Sequence, residues 1–256
     1  MKGAGERDGS ATPARAPYLT SPWNRDFLAH AFKAAFKQHH RALLPILRPL
    51  IPRDAVILDV GAHAGQYTKL LARLAPEGFV YAIEPGSYAR TILRLAISFN
   101  RLRNVAILPL ALGDRAGLVT LSMPVKRSGS YGFGLTHAGL GGRPNSVREV
   151  AAMTTLDELA ATLPLDRLDF IKVDIEGYEG ALLRGGRETL RRFKPTLLME
   201  MNAEQLVRAG DRLEDAWSLL VELGYTPHQA TADGALKPVP TPITSDIWWI
   251  ARQRFA

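Results

Sequence analysis

Five short apolar runs punctuate the chain without the alternation of a half-exposed strand: AVILDVG (55–61), FVYAIEP (79–85), VAILPLALG (105–113), LDFIKVDIEG (168–177) and PTLLMEMN (195–202). Strands covered on both faces of a parallel sheet read this way. Between them, apolar residues recur every three or four positions in QYTKLLARLA (66–75), SYARTILRLAISFNR (87–101), YEGALLRGGRETLRRF (178–193) and a stretch around 211–224. That period predicts helices. The last ends at Gly224, a residue suited to the left-handed conformation that terminates helices. Strands and helices in this order predict an α/β fold with a mostly parallel sheet, helices on both faces and right-handed crossovers.

Three stretches depart from that rhythm. GLVTLSMP (117–124) and VREVAAMTTL (147–156) predict extra strands around a glycine-rich loop, 127–145, so 115–155 reads as an insertion. Within it, the mobile glycines and two aromatics of SGSYGFGL (128–135) suit a lid or an acceptor contact as well as a plain connection. YTPHQAT (225–231) and DIWWIAR (246–252) predict a terminal antiparallel hairpin, in which Trp248 and Trp249 serve packing. At the other end, residues 1–20 have the composition of a loosely attached tail. Residues 21–50 predict a helical appendage to a domain spanning 51–256. Phe32, Phe36, Leu43 and Leu47 fall on one side of that helix, and Lys33, Lys37 and Arg41 on another. Such a helix can pack on the domain with its lysines in water, or lie on a membrane or partner surface.

Composition narrows the classes. The net charge of +7 invites nucleic acid, but the basic residues are dispersed and no zinc-ligand or RNA-binding signature accompanies them. The chain has no cysteine, which excludes disulfides, thiolate metal sites and cysteine nucleophiles. No apolar run reaches the roughly eighteen residues of a membrane span. The first residues lack the apolar centre of a secretory signal. A cytoplasmic protein is expected.

Candidate chemistry gathers where the first apolar run meets the first helix. Gly61 and Gly65 are spaced G-x-x-x-G, wider than the G-x-G-x-x-G of dinucleotide binders, and Asp59 stands two residues before them. An acid there opposes a pyrophosphate but suits the ammonium of a methionine moiety. Glu84 closes the second run, where a carboxylate can accept the hydroxyls of an adenosine ribose. The glycine spacing and the terminal hairpin both argue against a nicotinamide dehydrogenase. Further along, strand alternation puts Lys172 and Asp174 on one side of their strand, with Glu176 beyond its end. Asp174 or Glu176 could serve as base for an acceptor hydroxyl, and His137 is a further candidate. Alternatively, Asp174, Glu200 and Asn202 could bind magnesium and acidify a chelated hydroxyl. An ion pair between Lys172 and Glu200 is the structural alternative, and a helix-start role is the one for Glu179.

These motifs resemble the FkbM family of S-adenosylmethionine-dependent methyltransferases. The likeness rests on ILDVGAHAGQYTKLLA, VYAIEP, Asn104-Val105 followed by ALGD (111–114), TTLDEL (154–159), DFIKVDIEGYE (169–179) and KPTLLMEMN (194–202). It covers about residues 50–225, and His63 stands where the family usually has Asn. The resemblance implies a Rossmann-like class I methyltransferase fold with a seven-stranded sheet. It places Gly61, His63, Gly65 and Gln66 at the methionine end of the cofactor, Glu84 at the ribose and Ala111–Leu112 at the adenine. Asp174 is expected near the reactive methyl. The implied activity is O-methylation of a small molecule, a sugar or a lipid-linked glycan. The alternative is a non-catalytic binding module that docks through the basic N-terminal helix.

Overall fold

The computed structural model describes residues 25–124, 137–138 and 146–252. The predicted tail (1–20) and nearly all of the glycine-rich loop lie outside the described residues. In chain order, helix α1 (Arg25–Phe36), a 3-10 turn (Arg41–Leu43) and α2 (Leu44–Leu50) precede β1 (Val56–Val60). Next come α3 (Gln66–Leu74), β2 (Phe79–Ile83), α4 (Ser87–Phe99), β3 (Val105–Leu108), β4 (Ala111–Gly113) and β5 (Gly117–Pro124). They are followed by β6 (His137–Ala138), β7 (Ser146–Thr155), α5 (Leu156–Thr162), β8 (Phe170–Val173), α6 (Glu179–Arg184) and α7 (Arg187–Phe193). The chain closes with β9 (Thr196–Met201), α8 (Ala203–Ala209), α9 (Leu213–Glu222), β10 (Tyr225–Ala230), β11 (Leu236–Pro238) and β12 (Ser245–Ala251).

The main sheet has eight strands in the order β11-β10-β12-β9-β8-β1-β2-β3. Strands β1, β2, β3, β8 and β9 pair in parallel, while β12 runs antiparallel to both β9 and β10. The unbroken apolar runs follow from cover on both faces. Leu58 and Val60 point into one core layer and Ile57 into the other; Trp249 and Trp248 divide the same way. The strand beyond the expected seven is β11, three residues laid along the outer edge of β10. It is too short and polar to announce itself in the sequence.

Three predicted elements are corrected. The run 105–113 is not one strand: it breaks at Pro109, and β4 leaves the main sheet to pair with β7. There it joins a second sheet, ordered β4-β7-β5-β6, whose β5 and β7 are the extra strands expected around the glycine-rich loop. The helix over 178–193 is two helices, divided at Gly185–Gly186. A Cβ on Gly185 would lie 2.2 Å from the Gly113 carbonyl oxygen, so the break presses the end of α6 onto β4.

The N-terminal helix is also two, separated by residues 37–40, with His40 in the left-handed region at φ 62°. Lys69, buried in α3, draws the end of α1 inward by donating to the carbonyls of Ala34 and Lys37. The face of α1 that packs is Phe27, Ala31 and Ala34, against Tyr88, Ile92 and Ala96 of α4. Phe32 and Phe36, predicted to share a side with Leu47, are exposed, whereas Leu47 is buried.

Several motifs behind the resemblance are structural. Thr155 and Glu158 of TTLDEL form a reciprocal capping box at the start of α5. Asp157 accepts from the Thr189 backbone N–H at 2.7 Å, at the start of α7. Asn104 donates its amide to the Ala72 and Ala75 carbonyls at the end of α3.

Candidate active site

Parallel strands leave a crevice beyond their carboxyl ends, and here it lies above β1, β2 and β8. The main sheet supplies Gly61, His63, Glu84 and Asp174 to its lining, with Ile175, Glu176 and Tyr178 from the loop after β8. The inserted sheet closes the opposite wall with Leu110, Ala111, Leu112, Leu121, Met123, Val147 and Glu149. Its alternation explains the apolar surface: Val119, Leu121 and Met123 of β5 are all buried on one side.

The glycine loop is shaped by packing before any ligand is considered. Gly61 has φ 75°, and a Cβ there would sit 1.8 Å from the Asp174 carbonyl oxygen. Gly65 has φ 79°, and its Cβ would meet Leu93 at 2.5 Å. Both glycines therefore let the turn fold left-handed against its own neighbours. Gly65 and Gln66 do not reach the cavity. Gly65 is buried, while Gln66 accepts from the His39 backbone N–H at 3.3 Å and from the Gln38 side chain at 2.9 Å.

The turn also aims two backbone donors at one acid. The His63 N–H donates to Glu84 Oε2 at 2.9 Å and the Gly86 N–H to Oε1 at 2.8 Å. Glu84 is buried, and burial pushes its carboxyl up to about 7 against those two hydrogen bonds. Each carboxylate oxygen keeps a lone pair for a donor from the cavity.

Asp59 lies beneath the loop, fully buried and outside the cavity lining. Its Oδ2 accepts from the Thr68 hydroxyl, while Oδ1 has no partner among the described residues. Burial raises its carboxyl, and Lys172 opposes the shift.

A second acid marks the β8 end. Asp174 accepts from Lys172 Nζ at 3.2 Å, and the same ammonium donates to the Gly61 carbonyl at 3.2 Å. Lys172 is buried and outside the cavity, 5.1 Å from the centre of the Tyr67 ring, and His40 stacks on that ring at 4.1 Å. Burial pushes the Asp174 carboxyl up. The Lys172 charge and a hydrogen bond shared with Glu200 outweigh it and hold Asp174 below the usual range. Glu200 moves the other way, to about 8, through burial and then the Asp174 charge. Lys172 thus bonds to Asp174, not to Glu200. Glu179 is buried at the start of α6 and accepts from the Ile175 N–H at 3.1 Å.

The magnesium set does not assemble. The Asn202 side-chain oxygen accepts from the Glu204 and Gln205 N–H groups as the cap of α8, and so faces that helix. Among the described residues, no group of three or more His, Asp and Glu is arranged to hold a metal ion. His137 sits in β6, but its side chain lies outside the described residues.

Sequence reasoning missed two ties around the cavity. Glu149 of β7 accepts from the Ser87 N–H at 3.0 Å, fastening the inserted sheet to the start of α4. Tyr88 lines the cavity and hydrogen-bonds His30 of α1 at 2.9 Å. VREVAAMTTL reads as a strand in the sequence, and nothing local says what Glu149 would meet.

The family model of the Methyltransferase FkbM domain matches residues 59–227. The chain belongs to this family. Its FkbM domain thus covers β1 to β10, and the fold is that of the class I methyltransferases with one added edge strand. A curated relative, the 2-O-methyltransferase NoeI of Sinorhizobium fredii (strain NBRC 101917 / NGR234), is 24% identical over 165 residues. That match covers 60% of this chain and 65% of the relative. The methyltransferase FkbM structure from Methylobacillus flagellatus KT is 16% identical, covers 87% of this chain and 58% of that one, and has a TM-score of 0.47. The O-methyltransferase from Bacillus cereus, in complex with SAH, is 14% identical with 89% coverage of both chains and the same TM-score.

Proposed function

We propose that this FkbM-domain protein transfers a methyl group from S-adenosylmethionine to a hydroxyl acceptor. The observation that carries the reading is Glu84, a buried carboxylate held by two backbone N–H groups with its free lone pairs at the cavity. That arrangement fits the two hydroxyls of a ribose. Leu110, Leu112 and Leu121 offer an apolar slot for an adenine ring, beside Ala111. The Gly61 and His63 backbone faces the methionine end, and the unpartnered Asp59 Oδ1 supplies negative charge under it for an ammonium.

The bound donor supplies a methyl already activated on a sulfonium. The chain must align the acceptor and receive its proton. Asp174 is assigned that role: it lines the cavity, and Lys172 keeps it ionised. Glu200, its carboxyl raised by burial and by the Asp174 charge, positions Asp174 through a hydrogen bond. Glu176 is engaged by the Gln205 side chain at 2.6 Å, which favours Asp174 over it as base. A hydroxyl acceptor agrees with the relative being a 2-O-methyltransferase. It is taken to be a small molecule, a sugar or a lipid-linked glycan.

Thermal unfolding with donor or demethylated product tests the reading. At 100 times its dissociation constant the ligand should add about 2.7 kcal/mol of stability. Labelled methyl should then pass into a base-resistant product in cell extract. No thermal shift with either compound at millimolar concentration would overturn the proposal.

A further inference from the structure

The outward face of α1 has no role in the site just described. Packing through Phe27, Ala31 and Ala34 leaves Leu28, Phe32 and Phe36 pointing away from the domain at four-residue spacing, 48%, 61% and 56% exposed. Helix α4 adds Leu95 and Phe99, 37% and 56% exposed. The five side chains include one continuous aromatic ridge. The Phe32 and Phe36 ring centres are 4.5 Å apart, and those of Phe36 and Phe99 4.4 Å. Scattered exposed apolar residues are ordinary on a monomer, whereas a contiguous ridge marks an interaction surface.

Among the described residues of these two helices and their ends, the charge is positive except at Asp26. Lys33 flanks the ridge on α1 and Lys37 just past the helix end, and Arg94, Arg101 and Arg103 lie on and just after α4, all exposed. From 86 to 104 the chain holds no acid at all, and from 25 to 50 only Asp26.

We infer that this face docks on an anionic lipid surface. A second copy of the chain fits poorly, because a two-fold contact would set the same cations against one another. Nucleic acid would satisfy the cations but leave Leu28 and Leu95 without apolar cover. A bilayer surface takes both features. The ridge enters the boundary between headgroups and acyl chains, and the lysine and arginine stems reach back to the phosphates. Helix α1, about 18 Å long, then lies in the membrane plane. The geometry also couples docking to the cavity, since the inner face of the same helix pair carries Tyr88 and its hydrogen bond to His30. This inference does not depend on the identity of the methyl donor.

Sedimentation of the full-length protein with vesicles provides the test. Binding is expected to vesicles of phosphatidylcholine with phosphatidylglycerol, and not to phosphatidylcholine alone. The double substitution Phe32→Ser/Phe36→Ser should weaken binding roughly tenfold or more. Lys33→Glu should weaken it roughly fivefold, and raising the salt should weaken it further. Thermal melts should be nearly unchanged, because these side chains are exposed; should the double variant fail to fold, Phe99→Ser gives the same readout. No binding to either vesicle would overturn the inference, as would binding undiminished by the Phe substitutions. So would a dimer in light scattering that those substitutions dissolve, or an RNA oligonucleotide bound with the same dependence on them.

Discussion

Glu84 and Asp174 stand just past the ends of β2 and β8, on either side of β1; Glu84 is buried, while the Asp174 side chain is 37% exposed at the cavity. Their partners differ. Glu84 is met by backbone N–H groups, which carry no net charge, and burial takes its carboxyl up to about 7. Asp174 is met by the Lys172 ammonium and by a hydrogen bond with Glu200, which outweigh its burial and hold it below the usual range. Dipoles orient a carboxylate without fixing its charge, which suits a group that binds neutral hydroxyls. A buried cation keeps a carboxylate ionised, which suits a group that must take a proton. On the proposed function, one cavity thus has a holding end and a reacting end.

Four substitutions break or sharpen that contrast. The largest effect is expected from Asp174→Asn, which should lower turnover by roughly 10³-fold while donor affinity changes little. Steady-state rates beside calorimetric titration separate the two. Glu84→Ala should do the reverse. It removes two charge-assisted hydrogen bonds of about 1.5–3 kcal/mol each, so donor binding should weaken about a hundredfold or more. Gly185→Ala disturbs only the wall behind Ala111 and Leu112, because its methyl must displace the Gly113 carbonyl. Denaturant unfolding should show a loss of about 1–3 kcal/mol.

The smallest effect is in pH dependence. Glu200 is raised from its ordinary value of 4.5 to about 8 in the folded protein. The folded state therefore binds the extra proton more tightly than the unfolded chain. That stabilisation is complete below 4.5 and is lost as pH rises through about 8. Glu200→Gln keeps a donor to Asp174 and removes the titration. Its melting temperature should overtake that of the wild type above pH 8 and fall level or below it under pH 4.5.

The geometry of the proposed holding end was the more legible of the two in the sequence. Asp59, the glycine spacing and Glu84 fall within one strand-helix-strand unit, where local spacing fixes geometry. The main sheet was legible for the same reason, since double-sided burial writes continuous apolar runs. What escaped were contacts made across long separations. Glu149 meets Ser87 only because the inserted sheet folds back over α4, and Tyr88 meets His30 only because Lys69 draws α1 inward. The magnesium expectation failed on a local detail: Asn202 lies at a strand end but also begins a helix, and capping claims its oxygen. The face of α1 was misjudged because periodicity shows that a helix has two sides without saying which one meets the domain. Phe32 and Phe36 look like core residues in sequence and lie outside in the structure.

The contrast between the two ends is tested most directly by a crystal structure of the protein with S-adenosylhomocysteine. The account predicts both ribose hydroxyls on the Glu84 carboxylate, the adenine against Leu110, Leu112 and Leu121, and the sulfur facing Asp174. A ribose turned away from Glu84, or a ligand bound outside this cavity, would contradict it.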